Sequence, residues 1–323
     1  MATASGIAAV TRSATCGRPE FGSAQDESVY RVRARGRRIG RSRWSTELVT
    51  QGAQVATLCD NGTMVETLTA TAAEIKISFS GVEAREATAA LKLLGGEGRR
   101  RTIHFWDSPR KGSDGISLPF LKRGVSFRLR MDDEDHGSER EMDMTVKLRP
   151  CPPLPPEWQK NVKDEDEDWE FKIEEDRTGP AFKPVLSASL QADMQVDDEL
   201  VESALRPERG ALDQLLAKPH RHLLRDAMGL EKDDLKGLRA LGPVHATRWK
   251  QDWDTFVPSV AIEEWTIKDL RFLEVSVRVS VADAATTEKL LTQALRNRDV
   301  DPPRTGEMKT QAVLIALARD LAP

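Results

Sequence analysis

Basic side chains recur at every second position in several short segments of this sequence. Those that could bind one anion together are Lys76, Arg128, Arg130, Lys147, Arg248 and Lys250. Arginine binds phosphate oxygens in pairs through its planar guanidinium group, and lysine adds a compact charge. Two such groups enclosed about 4 Å apart would repel each other by roughly 4 kcal/mol at an effective dielectric of about 20. Because a polyphosphate chain would relieve that repulsion, these residues predict a phosphate-binding site.

Carboxylates share this alternating placement. Glu74 precedes Lys76 by two residues, and Glu174 and Glu274 lie in similar alternating segments. Mg²⁺ and Mn²⁺ prefer oxygen ligands, which carboxylates supply. We therefore expect Glu74, Glu174 and Glu274 to hold Mg²⁺ or Mn²⁺ beside the bound phosphates.

The segments that carry these charges have the period of two that is typical of β-strands. Eight such segments are predicted, at about 74–79, 101–107, 124–131, 141–149, 168–176, 242–250, 256–267 and 270–280. A closed sheet has one interior, so we expect the charged faces to point into a barrel and the apolar faces to pack against helices. For a single strand, a charged face that simply meets water is the alternative interpretation.

Apolar residues at helical spacing occur in four other parts of the chain. They lie at about 82–94, 184–241, 290–295 and 313–321. The stretch at 184–241 predicts a helical insert between two strands, with a break at Pro219. We expect the last two helices to cover the outside of the sheet.

The first 65 residues differ in composition from the rest of the chain, being rich in Ala, Ser, Gly and Arg. This composition predicts a disordered extension, or a start placed too far upstream with Met64 as the true one. A nucleic-acid arm or an organelle transit peptide is the functional alternative. Residues 70–323 are predicted to form one domain that includes the helical insert at about 184–241.

The overall composition excludes several classes of protein. A net charge of −4 with 31% charged residues argues against a strongly basic nucleic-acid binder. Three scattered cysteines do not provide a disulfide framework. No apolar run approaches the ~20 residues that cross a bilayer. We therefore expect a cytoplasmic protein, with neither a membrane nor a nucleic acid as its partner.

Four short motifs resemble those of the CYTH, or triphosphate tunnel metalloenzyme, superfamily. They read Ala72-Ala73-Glu74-Ile75-Lys76, Arg128-Leu129-Arg130, Thr145-Val146-Lys147 and Glu274-Val275-Ser276. The likeness spans about Ala72 to Leu321. It implies an α+β fold in which an eight-stranded antiparallel β-barrel, or tunnel, is covered by helices.

The same resemblance implies roles for individual residues. Glu74 and Glu274 would be metal ligands, while a basic set would bind the triphosphate. That set is Lys76, Arg128, Arg130, Lys147 and Arg248. Lys76 is the candidate catalytic residue. Ala72 and Ser276 stand where the family usually has Glu.

Three functions follow from these observations. The first is metal-dependent hydrolysis of a triphosphate-containing substrate, with inorganic triphosphate as one candidate. The second is a non-catalytic polyphosphate-binding module with a degenerate metal site, which Ala72 and Ser276 favour. The third is a protein-interaction scaffold that uses the helical insert.

Overall fold

The computed structural model describes Thr57–Leu58, Met64–Val65 and residues 68–321 apart from short gaps. The gaps are 94–97, 114, 134–140, 195–197, 207–211, 254–258, 304–308 and 320. The chain divides into two units, Met1–Thr67 and Leu68–Pro323. In the first unit, β1 (Thr57–Leu58) pairs antiparallel with β2 (Met64–Val65). The rest of the predicted extension at 1–65 lies outside the described residues, as do the glycines 95 and 96 after the first predicted helix.

Long strands dominate the second unit. The strands are β3 (Ala72–Ser80), β4 (Arg99–Asp107), β5 (Arg110–Gly112), β6 (Gly115–Ser117), β7 (Val125–Asp132), β8 (Met142–Leu148), β9 (Val162–Asp164), β10 (Trp169–Thr178), β11 (Lys183–Met194), β12 (Arg239–Gln251), β13 (Val260–Ile267) and β14 (Leu270–Ser280). The helices are α1 (Gly81–Ala90), α2 (Pro119–Lys122), α3 (Asp198–Leu205), α4 (Leu212–Leu215), α5 (Lys218–Met228), α6 (Ala284–Arg296) and α7 (Lys309–Ala318). None of the helices among the described residues is long and apolar enough to span a membrane.

Nine of the strands close into a barrel. Their order is β11, β8, β7, β4, β12, β13, β14, β3 and β10, and β10 pairs again with β11 to complete the ring. The strand β9 pairs with the first residues of β10, and β5 and β6 form a separate hairpin. The predicted α+β barrel is therefore confirmed. The prediction of eight strands is wrong by one.

The barrel is also not antiparallel throughout. The strands β3 and β10 run parallel, with Asp176 opposite Glu74, while the other neighbours in the ring are antiparallel. A parallel pair needs a long connection, and here β10 follows β3 only after three other barrel strands. Alternation along a strand carries no information about its partner's direction, so the sequence could not reveal this pair.

The ninth barrel strand lies where the helical insert was predicted to begin. Residues 183–194 form β11, which pairs with β8 on one side and β10 on the other. The helices α3, α4 and α5 follow only from Asp198. The insert prediction was wrong over its first residues because the middle of this face of β11 carries Ser and Gln rather than charge, with Ser187 opposite Glu174. Without β11 the barrel would not close.

Apolar strand faces pack outward against helices, as predicted. On one side Ile75 and Ile77 pack with Ala84 of α1 and Leu291 of α6. On the other side the apolar faces of β7, β8 and β10 pack with α3, α4 and α5 through residues such as Leu223. Burying these side chains leaves the opposite, charged faces of the same strands inside the barrel.

The helix α7 is an exception to the predicted arrangement. Its residues Val313 and Leu314 pack with Phe105 and Trp265. Phe105 lies directly opposite Arg128, so it shares the inward face of the sheet. The prediction that α7 covers the outside of the sheet is therefore wrong. It packs on apolar side chains at one end of the barrel interior and places its first residue, Lys309, next to the charged region.

Candidate functional site

The charged residues of neighbouring strands face each other across the register of the sheet. Arg248 of β12 lies opposite Glu263 of β13, and Glu263 lies opposite Glu274 of β14. Glu274 in turn lies opposite Ser78 of β3. Because directly opposed residues project from the same side of a sheet, these side chains share the barrel interior. The closed ring therefore brings together groups that are far apart in sequence.

Asp176 of β10 is the centre of the basic side of this interior. Its carboxylate is fully buried and contacts three cations. The Nζ atoms of Lys76 and Lys147 lie 3.0 and 2.7 Å from its oxygens, and Nε of Arg149 lies 3.4 Å away. Burial opposes ionisation of Asp176, but Lys76, Lys147 and Arg149 outweigh it and hold the pKa of this carboxyl well below its usual range. Asp176 therefore anchors three positive side chains in one place.

Lys76 is held between two carboxylates. Its Nζ lies 2.6 Å from Glu74 Oε2 in addition to the contact with Asp176. Burial alone would lower the pKa of Lys76, but Glu74 and Asp176 raise it above its ordinary value. Lys76 therefore stays protonated over the physiological range. It can stabilise negative charge, but it cannot act as a general base.

Three arginines have weaker compensation. Nη2 of Arg128 donates to Thr145 Oγ1 at 3.4 Å, and Nη1 of Arg130 lies 3.8 Å from Asp143. The Nε atoms of Arg128 and Arg130 are buried and have no hydrogen-bond partner among the described residues. Burial lowers the pKa of Arg128 to about 10, and the charge of Arg130 adds to that effect. Burial and Arg101 likewise lower the pKa of Arg248. The positive charge of this arginine cluster (Arg128, Arg130 and Arg248) is therefore less fully compensated than that of Lys76.

Carboxylates on β13 and β14 form the acidic side of the interior. Glu263 and Glu274 share the ammonium group of Lys309, at 3.2 and 3.1 Å. Ser78 Oγ donates to the second oxygen of Glu274 at 3.1 Å. Burial opposes ionisation of Glu263, but Lys309, Arg130 and Arg128 hold its pKa well below the usual range. The acidic side thus lies near the arginine cluster.

Sequence reasoning missed two residues of this acidic side. Glu263 lies two residues before Trp265 and therefore on the same face of β13, so the alternation of this strand could have located it. Lys309 gave none, because it lies at the start of a helix that was recognised only from Val313 onward. The structure also places Arg149 and Arg278, which were not among the predicted ligands, in ion pairs with Asp176 and Glu174.

The three predicted metal ligands pair with three different basic residues. Glu74 pairs with Lys76 at 2.6 Å, Glu174 pairs with Arg278 at 2.5 Å, and Glu274 pairs with Lys309. Within the part of the chain that the structure describes, no group of three or more His, Cys, Asp or Glu side chains could hold a metal ion. Each carboxylate is instead satisfied by a base of the chain itself. The residues as arranged do not fit the metal site that the sequence predicted, and the expected dependence on Mg²⁺ or Mn²⁺ stays a prediction.

The predicted phosphate ligands divide into two groups. Lys76 and Lys147 meet at Asp176. Arg128 and Arg130 lie on β7, the neighbour of the strand that carries Lys147, and the charge of Arg130 reaches Arg248. Lys250 is different, because it is exposed near the end of β12 and lies opposite Ala261. The geometry therefore brings five of the six predicted basic ligands together and leaves Lys250 outside.

Removing the charge of Asp176 tests this convergence. Asp176→Asn leaves Lys76, Lys147 and Arg149 without their shared carboxylate, so we expect the free energy of unfolding to fall by about 3 kcal/mol or more. The exposed Asp233, which pairs with the exposed Lys236, is a matched control, and Asp233→Asn should change stability by less than about 0.5 kcal/mol. Urea unfolding measures both. Equal stabilities for the two variants would show that the three cations do not meet at Asp176.

Comparisons with known proteins give structural matches only. No family model matches the sequence, and no curated protein matches it. A protein from Hippeastrum, described as a candidate adenylyl cyclase with a dominant triphosphatase activity, is 13% identical over 75% of this chain and 94% of its own, with a TM-score of 0.44. A candidate adenylate cyclase from Bacillus halodurans is 13% identical over 75% and 98%, with a TM-score of 0.42. A protein from Pyrococcus horikoshii is 16% identical over 75% and 98%, with a TM-score of 0.36.

The fold assignment rests on the closed ring of strands and its register. A closed barrel with charges inside and the helices α1, α3, α4, α5 and α6 outside matches the fold that the resemblance to the CYTH superfamily implied, and in that respect the prediction is confirmed.

Proposed function

We propose that the barrel interior binds a triphosphate-containing molecule. The observation that carries this proposal is the pair of buried Nε–H groups of Arg128 and Arg130, which have no acceptor among the described residues. Burying a charged donor without an acceptor is costly, so the arrangement favours a ligand that supplies anionic oxygens. Phosphate matches the planar fork of arginine better than a monatomic anion does.

The spread of the basic groups favours an elongated anion over a single phosphate. The arginine cluster projects from β7 and β12, whereas Lys76 and Lys147 project from β3 and β8 and meet at Asp176. Arg128 is close enough to Glu74, the partner of Lys76, for their charges to influence each other. A chain of phosphates could therefore contact the arginine cluster at one end and the lysines at the other. This supports the polyphosphate-binding module as the first candidate function.

Loss of one guanidinium group should weaken this binding. In Arg130→Gln, a charge-assisted contact is lost while a polar side chain of similar reach remains. We expect the Kd for inorganic tripolyphosphate to rise roughly 10- to 100-fold. The control is Arg110→Gln, because Arg110 is exposed on the separate β5–β6 hairpin. Isothermal titration calorimetry in EDTA gives the affinities, and equal loss in both variants would contradict binding inside the barrel.

Hydrolysis of the bound triphosphate is the second candidate, and the position of Lys76 favours it. This permanently protonated ammonium group is fixed by Glu74 and Asp176 beside the proposed path of the phosphates. A preorganised cation stabilises the negative charge that develops on the leaving oxygen. We assign Lys76 this electrostatic role rather than proton abstraction. Assistance by Mg²⁺ or Mn²⁺ stays a prediction from the sequence.

Phosphate release from tripolyphosphate tests this second candidate. Wild type and Lys76→Ala are compared with and without Mg²⁺ or Mn²⁺, with Lys111→Ala on the exposed β5 strand as control. If the protein is a hydrolase, we expect Lys76→Ala to lower the rate by about 10²–10³ while Lys111→Ala leaves it unchanged. Tight binding without release in any condition would leave the binding module as the function. Release that survives Lys76→Ala would contradict the role given to Lys76.

A further inference from the structure

We infer that the ammonium group of Lys309 takes the place of a divalent cation between Glu263 and Glu274, so that the barrel needs no metal ion at that position to bind its ligand. The ligand in this statement rests on the proposed function. The replacement of a cation by Lys309 is independent of it and is tested without any phosphate.

The carboxylates of Glu263 and Glu274 need a positive charge beside them. Glu263 and Glu274 are directly opposite each other on β13 and β14, and like charges in that arrangement destabilise a sheet. Two carboxylates with additional oxygen donors are also a common way to hold Mg²⁺ in phosphate-binding sites. The pair is therefore a natural position for a metal ion, and it is filled by Lys309.

Lys309 is held in this position by more than its charge. Its side chain is nearly buried, and its Nζ lies 3.9 Å from the centre of the Trp265 ring, within the range of a cation–π contact. The packing of Val313 and Leu314 at the end of the barrel fixes the helix that carries it. Moving the ammonium group out would separate it from both carboxylates and from the indole ring together. Lys309 is thus a tethered cation rather than a mobile surface lysine.

A second cation would find this place unfavourable. The arginines 128 and 130 also lower the pKa of Glu263, so positive charge already surrounds the pair on two sides. A divalent ion would have to displace Lys309 or accept repulsion from it. The two other predicted metal ligands, Glu74 and Glu174, form ion pairs with Lys76 and Arg278 instead of contributing to this position. Basic side chains of the protein therefore neutralise the carboxylates that the sequence predicted to bind a metal ion.

Binding of Mn²⁺ alone tests the inference. Electron paramagnetic resonance follows the signal of free Mn²⁺ with wild type and four variants: Lys309→Met, Glu263→Gln, the double variant Lys309→Met/Glu263→Gln, and Lys289→Met. Methionine keeps the unbranched stem that packs near Trp265 and removes the charge. Lys289 is an exposed lysine on α6 and serves as the control. Melting temperatures establish that each variant is folded.

We expect wild type and Lys289→Met to bind Mn²⁺ weakly or not at all. Lys309→Met should bind one Mn²⁺ about tenfold more tightly or better, and Glu263→Gln should remove that gain. A folded Lys309→Met that binds no more Mn²⁺ than wild type would overturn the inference. If Lys309→Met does not fold, the comparison of wild type with Glu263→Gln tests the inference instead. Mn²⁺ binding by wild type that Glu263→Gln abolishes would contradict the role of Lys309. Equally weak Mn²⁺ binding by both proteins would support it.

A separate titration distinguishes failure of the inference about Lys309 from failure of the proposed function. Wild type is titrated with tripolyphosphate in EDTA and again with Mn²⁺ present. Binding in EDTA supports both statements. Binding only with Mn²⁺ contradicts the metal-free site. No binding in either condition overturns the proposed function, and the Mn²⁺ measurements alone then test the role of Lys309.

Discussion

Positive charge enclosed in a protein interior must be balanced by negative charge within a few ångströms, and this requirement shapes the barrel. On the basic side the fully buried carboxylate of Asp176 contacts two lysines and an arginine, and Glu74 contacts one of the lysines, Lys76. On the acidic side one lysine balances two glutamates. Between them, the buried Nε groups of Arg128 and Arg130 remain without an acceptor in the described part of the chain. That imbalance is local, and it gives the interior its capacity for an anionic ligand.

The helices and the outer apolar faces serve this arrangement. Ile75 and Ile77 must face α1 and α6 for Lys76 to face inward, since neighbouring residues of a strand point to opposite sides. The closure of the ring by β11 then encloses the charges, and α7 packs at one end of the interior. The fold thus converts a simple alternation of residue types into a cavity with an acidic and a basic side. Lys76, for example, acquires a partner in Asp176, which lies 100 residues further along the sequence.

Much of this could be predicted from the sequence, because the period of two fixes both the strands and their faces. The last strand, β14 at Leu270–Ser280, was predicted with these boundaries, and the inward position of Arg128 and Arg130 followed from parity. What alternation cannot give is register, since the partner of each residue depends on the whole sheet. For that reason the sequence grouped Glu74, Glu174 and Glu274, whereas the register gives each of them a separate base. The Ser187, Ser189 and Gln191 positions in the middle of β11 and the lone Lys309 carried too little pattern to be recognised.

The position of a bound phosphate chain tests the central claim most directly. We predict that a crystal structure of the protein with inorganic tripolyphosphate shows phosphate oxygens within hydrogen-bonding distance of the guanidinium groups of Arg128 and Arg130. Lys309 should remain between Glu263 and Glu274 in that complex. Tripolyphosphate bound only on the outer surface, or Arg128 and Arg130 turned away from it inside the barrel, would contradict the account.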